Sequence, residues 1–196
     1  MNHIPLDHPM LIDILARIPA KFHSRMWVAG SAATRWPEAW EAGGDLDLWM
    51  CGIEWMDRDQ LFSLFPANII PRREQPDEEY NSTATMLIRE PRLHVLMTDE
   101  SIDNVLAAFD ISTHCGAVNI VTGEVIDRST QAVQITQWRD PRRTLQRALR
   151  FAHRYHDNDI WNHPKTLECV QAAFKLPRIP RDQLDRVMQL VVPDGL

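Results

Sequence analysis

Leu11, Ile12, Leu15 and Ile18 recur at helical spacing within residues 8–18 and predict a first amphipathic helix. The apolar run at 26–29 stops at Gly30-Ser31 and reads as a buried strand meeting a turn. Ala32-Ala33-Thr34-Arg35 starts a helix that Pro37 interrupts or redirects. Behind the Gly43-Gly44 turn, Asp45-Leu46-Asp47-Leu48-Trp49-Met50 alternates as a strand does. A short helix is expected over 60–65, a polar mobile loop over 71–82, and strands near 83–89 and 92–98. Asp99-Glu100-Ser101 opens a helix over 101–109 that leads to Asp110. Residues 111–121 read as a strand, and Val121 to Val125 as a turn into another short one. From Pro141 onward the pattern is helical, over 141–156, 164–175 and 180–192. Mixed elements followed by helices alone predict an α+β fold, a small mixed sheet flanked by helices with a helical C-terminal segment.

Composition narrows the class. An apolar share of 44% and a charged share of 24% are ordinary for a globular chain and exclude a disordered or collagen-like one. Cys51, Cys115 and Cys169 are odd in number and form no C-x-x-C pair, which fits a reducing compartment. The opening Met1-Asn-His-Ile-Pro-Leu-Asp has no basic n-region, and no apolar run reaches the roughly 20 residues of a membrane span. A cytoplasmic protein without a membrane partner is therefore expected, and no DNA-binding motif is evident.

The net charge of −6 excludes a uniformly basic nucleic-acid-coating protein. The charge is uneven, however. Residues 1–138 carry 10 basic against 20 acidic side chains, and residues 139–196 carry 11 against 7.

Candidate chemistry gathers at Gly30-Ser31 and at Asp45 and Asp47. Residues two apart on a strand point to one face, so the two carboxylates lie side by side and repel unless a cation sits between them. Paired hard oxygens suit Mg²⁺, which fills its remaining positions with phosphate oxygens and water, and Mn²⁺ is the alternative. Gly30 permits a tight turn, and Ser31 begins a helix whose N–H groups and hydroxyl suit a phosphate.

Val28-Ala29-Gly30-Ser31 followed by Gly44-Asp45-Leu46-Asp47-Leu48 resembles the signature of the DNA polymerase β-like nucleotidyltransferase superfamily. Phe109-Asp110-Ile111-Ser112, continuing through Ala117-Val118-Asn119 to Thr122-Gly123-Glu124-Val125-Ile126-Asp127, is similar to a second motif of its poly(A) polymerase and CCA-adding head domain. Asp140-Pro141 through Arg147-Ala148-Leu149-Arg150-Phe151-Ala152 is similar to the neck helix of that branch. The resemblance covers about residues 26–154 in order. It implies a head domain over 1–138 and a helical neck over 139–196. It also implies transfer of a nucleoside monophosphate from an NTP to an acceptor hydroxyl, with Asp45 and Asp47 holding the metal. Asp110 matches an acidic position that serves either the nucleotide ribose or a further metal ligand. The pattern departs from the family where Ala108-Phe109 replaces an arginine pair and where one extra residue separates Pro141 from Arg147.

Arg143, Arg147, Arg150 and Arg154 fall on one face of the predicted neck helix, either as a solvated surface or as a triphosphate clamp. Arg35 stands where the family often has a basic residue after its G-S step. Trp36, Trp40 and Trp49 serve as core packing or as a base-stacking surface, and His153, His156 and His163 read as surface histidines. Three functional readings follow. The first is a Mg²⁺-dependent nucleotidyltransferase with a small molecule, a protein or an RNA end as acceptor. The second is a minimal enzyme adding nucleotides to a tRNA or RNA 3′ end. The third is a degenerate fold that binds or senses nucleotides without catalysis.

Overall fold

The computed structural model describes residues 2–64, 84–157 and 159–175. The expected loop over 71–82 and the expected helix over 180–192 lie outside the described residues. The chain divides into two compact units. One comprises Met1–Phe109 with Thr113–Ser129, the other Asp110–Ser112 with the chain from Thr130 onward.

The first unit is built on a six-stranded mixed sheet. Its strands are β1 (Met26–Ala29), β2 (Leu46–Met50), β3 (Thr85–Glu90), β4 (Leu93–Met97), β5 (Gly116–Asn119) and β6 (Val125–Asp127). Their order is β3-β4-β2-β1-β5-β6, with β2 and β4 parallel and every other neighbouring pair antiparallel. Alternation then assigns the two faces. Val28, Leu46, Leu48, Met50, Val95, Met97 and Val118 point to one side. There they bury against Leu11 and Ile14 of helix α1 (Pro9–Arg17), Phe22, and Ala32 and Ala33 of the single-turn helix α2 (Ser31–Thr34). Trp27, Ala29, Trp49, Leu96 and Ala117 point to the other and pack on Ile102, Val105 and Leu106 of α5 (Ile102–Ala107).

Two further helices join these strands, α3 (Glu38–Glu41) and α4 (Trp55–Ser63). Helix α4 starts earlier than the periodicity over 60–65 indicates, because its first turn is exposed. Trp55 and Met56 are 75% and 62% exposed, so an apolar pattern cannot mark that end. The expected strand over 111–121 is shorter than predicted. Ser112–His114 forms a 3-10 turn, and strand pairing begins only at Gly116.

The second unit is helical, with α6 (Pro141–Arg154) and α7 (Pro164–Phe174). Asp140 caps α6 by accepting hydrogen bonds from the backbone N–H groups of Arg142 at 3.0 Å and Arg143 at 3.3 Å, with Pro141 at the first helical position. Leu145, Ala148 and Ala152 of α6 pack with Cys169, Val170 and Ala173 of α7 and with Ile111, Val133 and Ile135. No helix among the described residues is long and apolar enough to cross a membrane.

Candidate metal centre

Asp47 sits in the middle of the sheet. Its register partners are Ala29 on antiparallel β1 and His94 on parallel β4. The pleat puts Asp45, Asp47 and His94 on the face that also carries Trp49 and Leu96. His94 Nδ1 lies 3.1 Å from Asp47 Oδ1 and 3.4 Å from Asp45 Oδ2. One ligand atom from each of the three residues falls within 4.8 Å of the others, so the group is able to hold a metal ion. Exposure is graded across it, from 14% for the His94 side chain through 19% for Asp47 to 49% for Asp45. The centre therefore has one anchored side and one side open to solvent.

The hydrogen bond to Asp47 raises the His94 pKa above its ordinary value, burial opposes that shift, and the charges of Asp47 and Asp45 add to it. Composition and spacing had not pointed to His94. The signal is the parallel pairing of residues 45–50 with 93–97, and local periodicity carries no information about which strands become neighbours.

Gly30 closes β1 with φ +83°, a left-handed torsion that favours glycine. A Cβ at that position would stand 3.9 Å from Asp47 Oδ2, so the turn runs directly beside the second carboxylate. Ser31, half-buried, is the first residue of α2. The Thr34 hydroxyl donates to the Gly30 carbonyl at 3.2 Å and to the Thr113 carbonyl at 2.8 Å, which fixes the turn. Arg35 follows at the end of α2, with its guanidinium 4.0 Å from Glu38.

Asp110, Arg143, Arg147 and Arg150 belong to the second unit. Asp110 is 8% exposed; it accepts a hydrogen bond from the Thr144 hydroxyl at 3.0 Å and pairs with Arg147 at 3.3 Å. Arg147 is therefore engaged within the neck, and Arg143 and Arg150 are exposed residues of the same helix. No metal-binding group that includes His153, His156 or His163 forms among the described residues. Trp36 and Trp40 pack against the core, and Trp49 is fully buried within it. Burial pushes the Cys51 and Cys169 thiols up to about 12, which leaves both as unreactive core side chains.

The fold is nucleotidyltransferase-like. It is similar over 96% of this chain to 54% of a solved structure described as a tRNA-processing enzyme (apo form I), with a TM-score of 0.53 and 16% identity. Over 93% of this chain it is similar to 50% of a solved CCA-adding enzyme in complex with ATP, with a TM-score of 0.52 and 14% identity. This chain spans about half the length of those two proteins. No family model and no curated protein matches the chain.

Proposed function

We propose that the protein is a nucleotidyltransferase, dependent on Mg²⁺ or Mn²⁺, that moves an NMP from an NTP to an acceptor hydroxyl and releases pyrophosphate. The observation that carries this reading is the placement of Asp45 and Asp47 on one face of the sheet, beside the Gly30 turn. The donor set, two carboxylate oxygens and one imidazole nitrogen, fits a divalent cation, with Mg²⁺ or Mn²⁺ as the candidates. When bound, such a cation neutralises triphosphate charge and acidifies an attacking hydroxyl.

The chain's own residues take the other roles. Asp45 and Asp47 would hold the cation at the sheet face beside the Gly30 turn. The Gly30-Ser31 turn offers the Ser31 hydroxyl to phosphate, with Arg35 one turn further on. By the resemblance of their motifs alone, Asp110 would serve the ribose or the metal and Arg143, Arg147 and Arg150 the phosphates, although Arg147 already pairs with Asp110 at 3.3 Å. Among acceptors, the tRNA-processing and CCA-adding descriptions of the similar structures favour an RNA 3′ end as the second reading.

The test is incubation with each α-labelled NTP, Mg²⁺ and a cell extract, followed by RNase or protease treatment. Label is expected to move to one acceptor class and to vanish with Asp45→Asn/Asp47→Asn. If no label reaches RNA, protein or a small molecule, the degenerate binding fold becomes the better reading.

A further inference from the structure

We propose that His94 is a third metal donor, and that the centre it completes takes Mn²⁺ in preference to Mg²⁺. This rests on the reading of Asp45 and Asp47 as cation ligands and adds the ion's identity and a ligand from a different strand.

Three observations support it. The first is distance. Cis donors on a six-coordinate ion with bonds of about 2.1 Å stand about 3 Å apart. His94 Nδ1 is 3.1 Å from Asp47 Oδ1 and 3.4 Å from Asp45 Oδ2, close to that spacing, and the three ligand atoms lie within 4.8 Å of one another. The second is anchoring. His94 is the direct register partner of Asp47 on a parallel strand, and its side chain is largely enclosed, so the ring is held where a ligand is needed. The third is the open side. Asp45 is half exposed, which leaves room for water or substrate oxygens in the remaining positions.

The donor chemistry then discriminates between Mg²⁺ and Mn²⁺. Mg²⁺ is bound through oxygen and gains little from an imidazole nitrogen. Mn²⁺ shares the preference for carboxylate, water and phosphate oxygen in octahedral geometry, yet as a transition metal it also accepts nitrogen. A site of two carboxylates and one imidazole, open to phosphate oxygens, thus favours Mn²⁺ over Mg²⁺.

The experiment is a Mn²⁺ titration of the full chain followed by EPR, with pulsed EPR reading the coupling of any directly bound ¹⁴N. The wild-type protein is expected to bind Mn²⁺ with one imidazole nitrogen attached. His94→Gln keeps a hydrogen-bond donor toward Asp47 but lacks the imidazole. It is expected to lose the nitrogen coupling and about tenfold or more of the Mn²⁺ affinity, the scale of loss that disturbing a metal ligand set produces. Competition by Mg²⁺ should change far less. Bound Mn²⁺ without nitrogen coupling in the wild type would overturn the proposal whatever the variant does, and would leave His94 as a hydrogen-bond partner of Asp47. Mn²⁺ binding that survives Asp45→Asn/Asp47→Asn would instead overturn the carboxylate reading beneath it, so the two failures are told apart.

Discussion

Gly44 and Gly30 flank the carboxylates for different physical reasons, and substitution should separate them. A Cβ on Gly44 would lie 2.5 Å from the Ala39 carbonyl oxygen, a contact that only a backbone shift relieves. Gly44 also donates its N–H to that carbonyl at 2.9 Å, so the shift disturbs the turn that leads into Asp45. At Gly30 the nearest atoms to an added Cβ are 3.9 Å away, and the penalty is the left-handed torsion alone. Gly30 combines φ +83° with ψ −149°, a region essentially confined to glycine, so Gly30→Ala is expected to cost about 1–3 kcal/mol. Overpacking also costs about 1–3 kcal/mol, and Gly44→Ala should in addition weaken metal binding through Asp45. Thermal unfolding reads each loss, at about 2–4 °C per kcal/mol for a chain of this size. An unchanged melting temperature in Gly44→Ala would count against the contact. The pair Gly43-Gly44 is legible in the sequence as a turn. That position 44 cannot accept even a methyl group is not legible, because the obstacle is a carbonyl five residues earlier that only the folded turn brings close.

The strand segments themselves were largely readable, since alternation over 45–50 and 92–98 marks β2 and β4 without help from the rest of the chain. Their adjacency was not, and the third member of the candidate metal-binding group depends on it. The same limit applies before β5. Ser112, Thr113 and His114 are buried although polar, and a run of buried residues looks like a strand whether or not it has a pairing partner. Arg92, in the turn between β3 and β4, shows how the two key strands are held in register. Its backbone carbonyl accepts from the Leu46 N–H at 2.9 Å, and its Nε donates to the Gly44 carbonyl at 3.1 Å. Its guanidinium also donates to the Trp40 carbonyl and covers the Trp40 ring at 3.3 Å from the centroid. One side chain thus ties the loop before Asp45 to the turn before His94. Removing it by Arg92→Ala is expected to cost about 1 kcal/mol, the value of an exposed cation–π contact with its hydrogen bonds. Arg92→Lys should recover little, because an ammonium cannot reproduce the planar fork. Arg92 has φ +65°, so Arg92→Gly should be the more stable of the two truncations, by about 1 kcal/mol. Chemical denaturation of the three variants checks the order; full recovery by lysine would mean that charge alone matters.

Net charge turns out to be a poor guide to partners for this chain, because its −6 is the sum of an acidic N-terminal part and a basic C-terminal one. The basic excess comes with a cost to its availability. Arg147 is committed to Asp110, and Arg142 donates to the Ala173 carbonyl at 2.8 Å, so part of the neck's positive charge serves the second unit's own packing. Arg143, Arg150 and Arg154 are left as the exposed members of the stripe on α6. Three arginines suffice for a triphosphate and are few for gripping a long RNA, whose binding grows with each phosphate neutralised. The salt dependence of RNA binding measures this directly. For single strands each neutralised phosphate contributes about −0.7 to the slope of log affinity against log salt. Three contacts therefore predict a slope near about −2, shallow compared with a dedicated RNA-binding surface. Fluorescence anisotropy of a labelled single-stranded RNA across a salt series gives the slope, and Arg143→Glu/Arg150→Glu/Arg154→Glu should bring it close to zero. A steep slope that the triple variant leaves unchanged would show an RNA-binding surface elsewhere on the chain and would shift the acceptor toward a long RNA. A shallow slope that the variant abolishes would favour a short RNA end or a small molecule as acceptor.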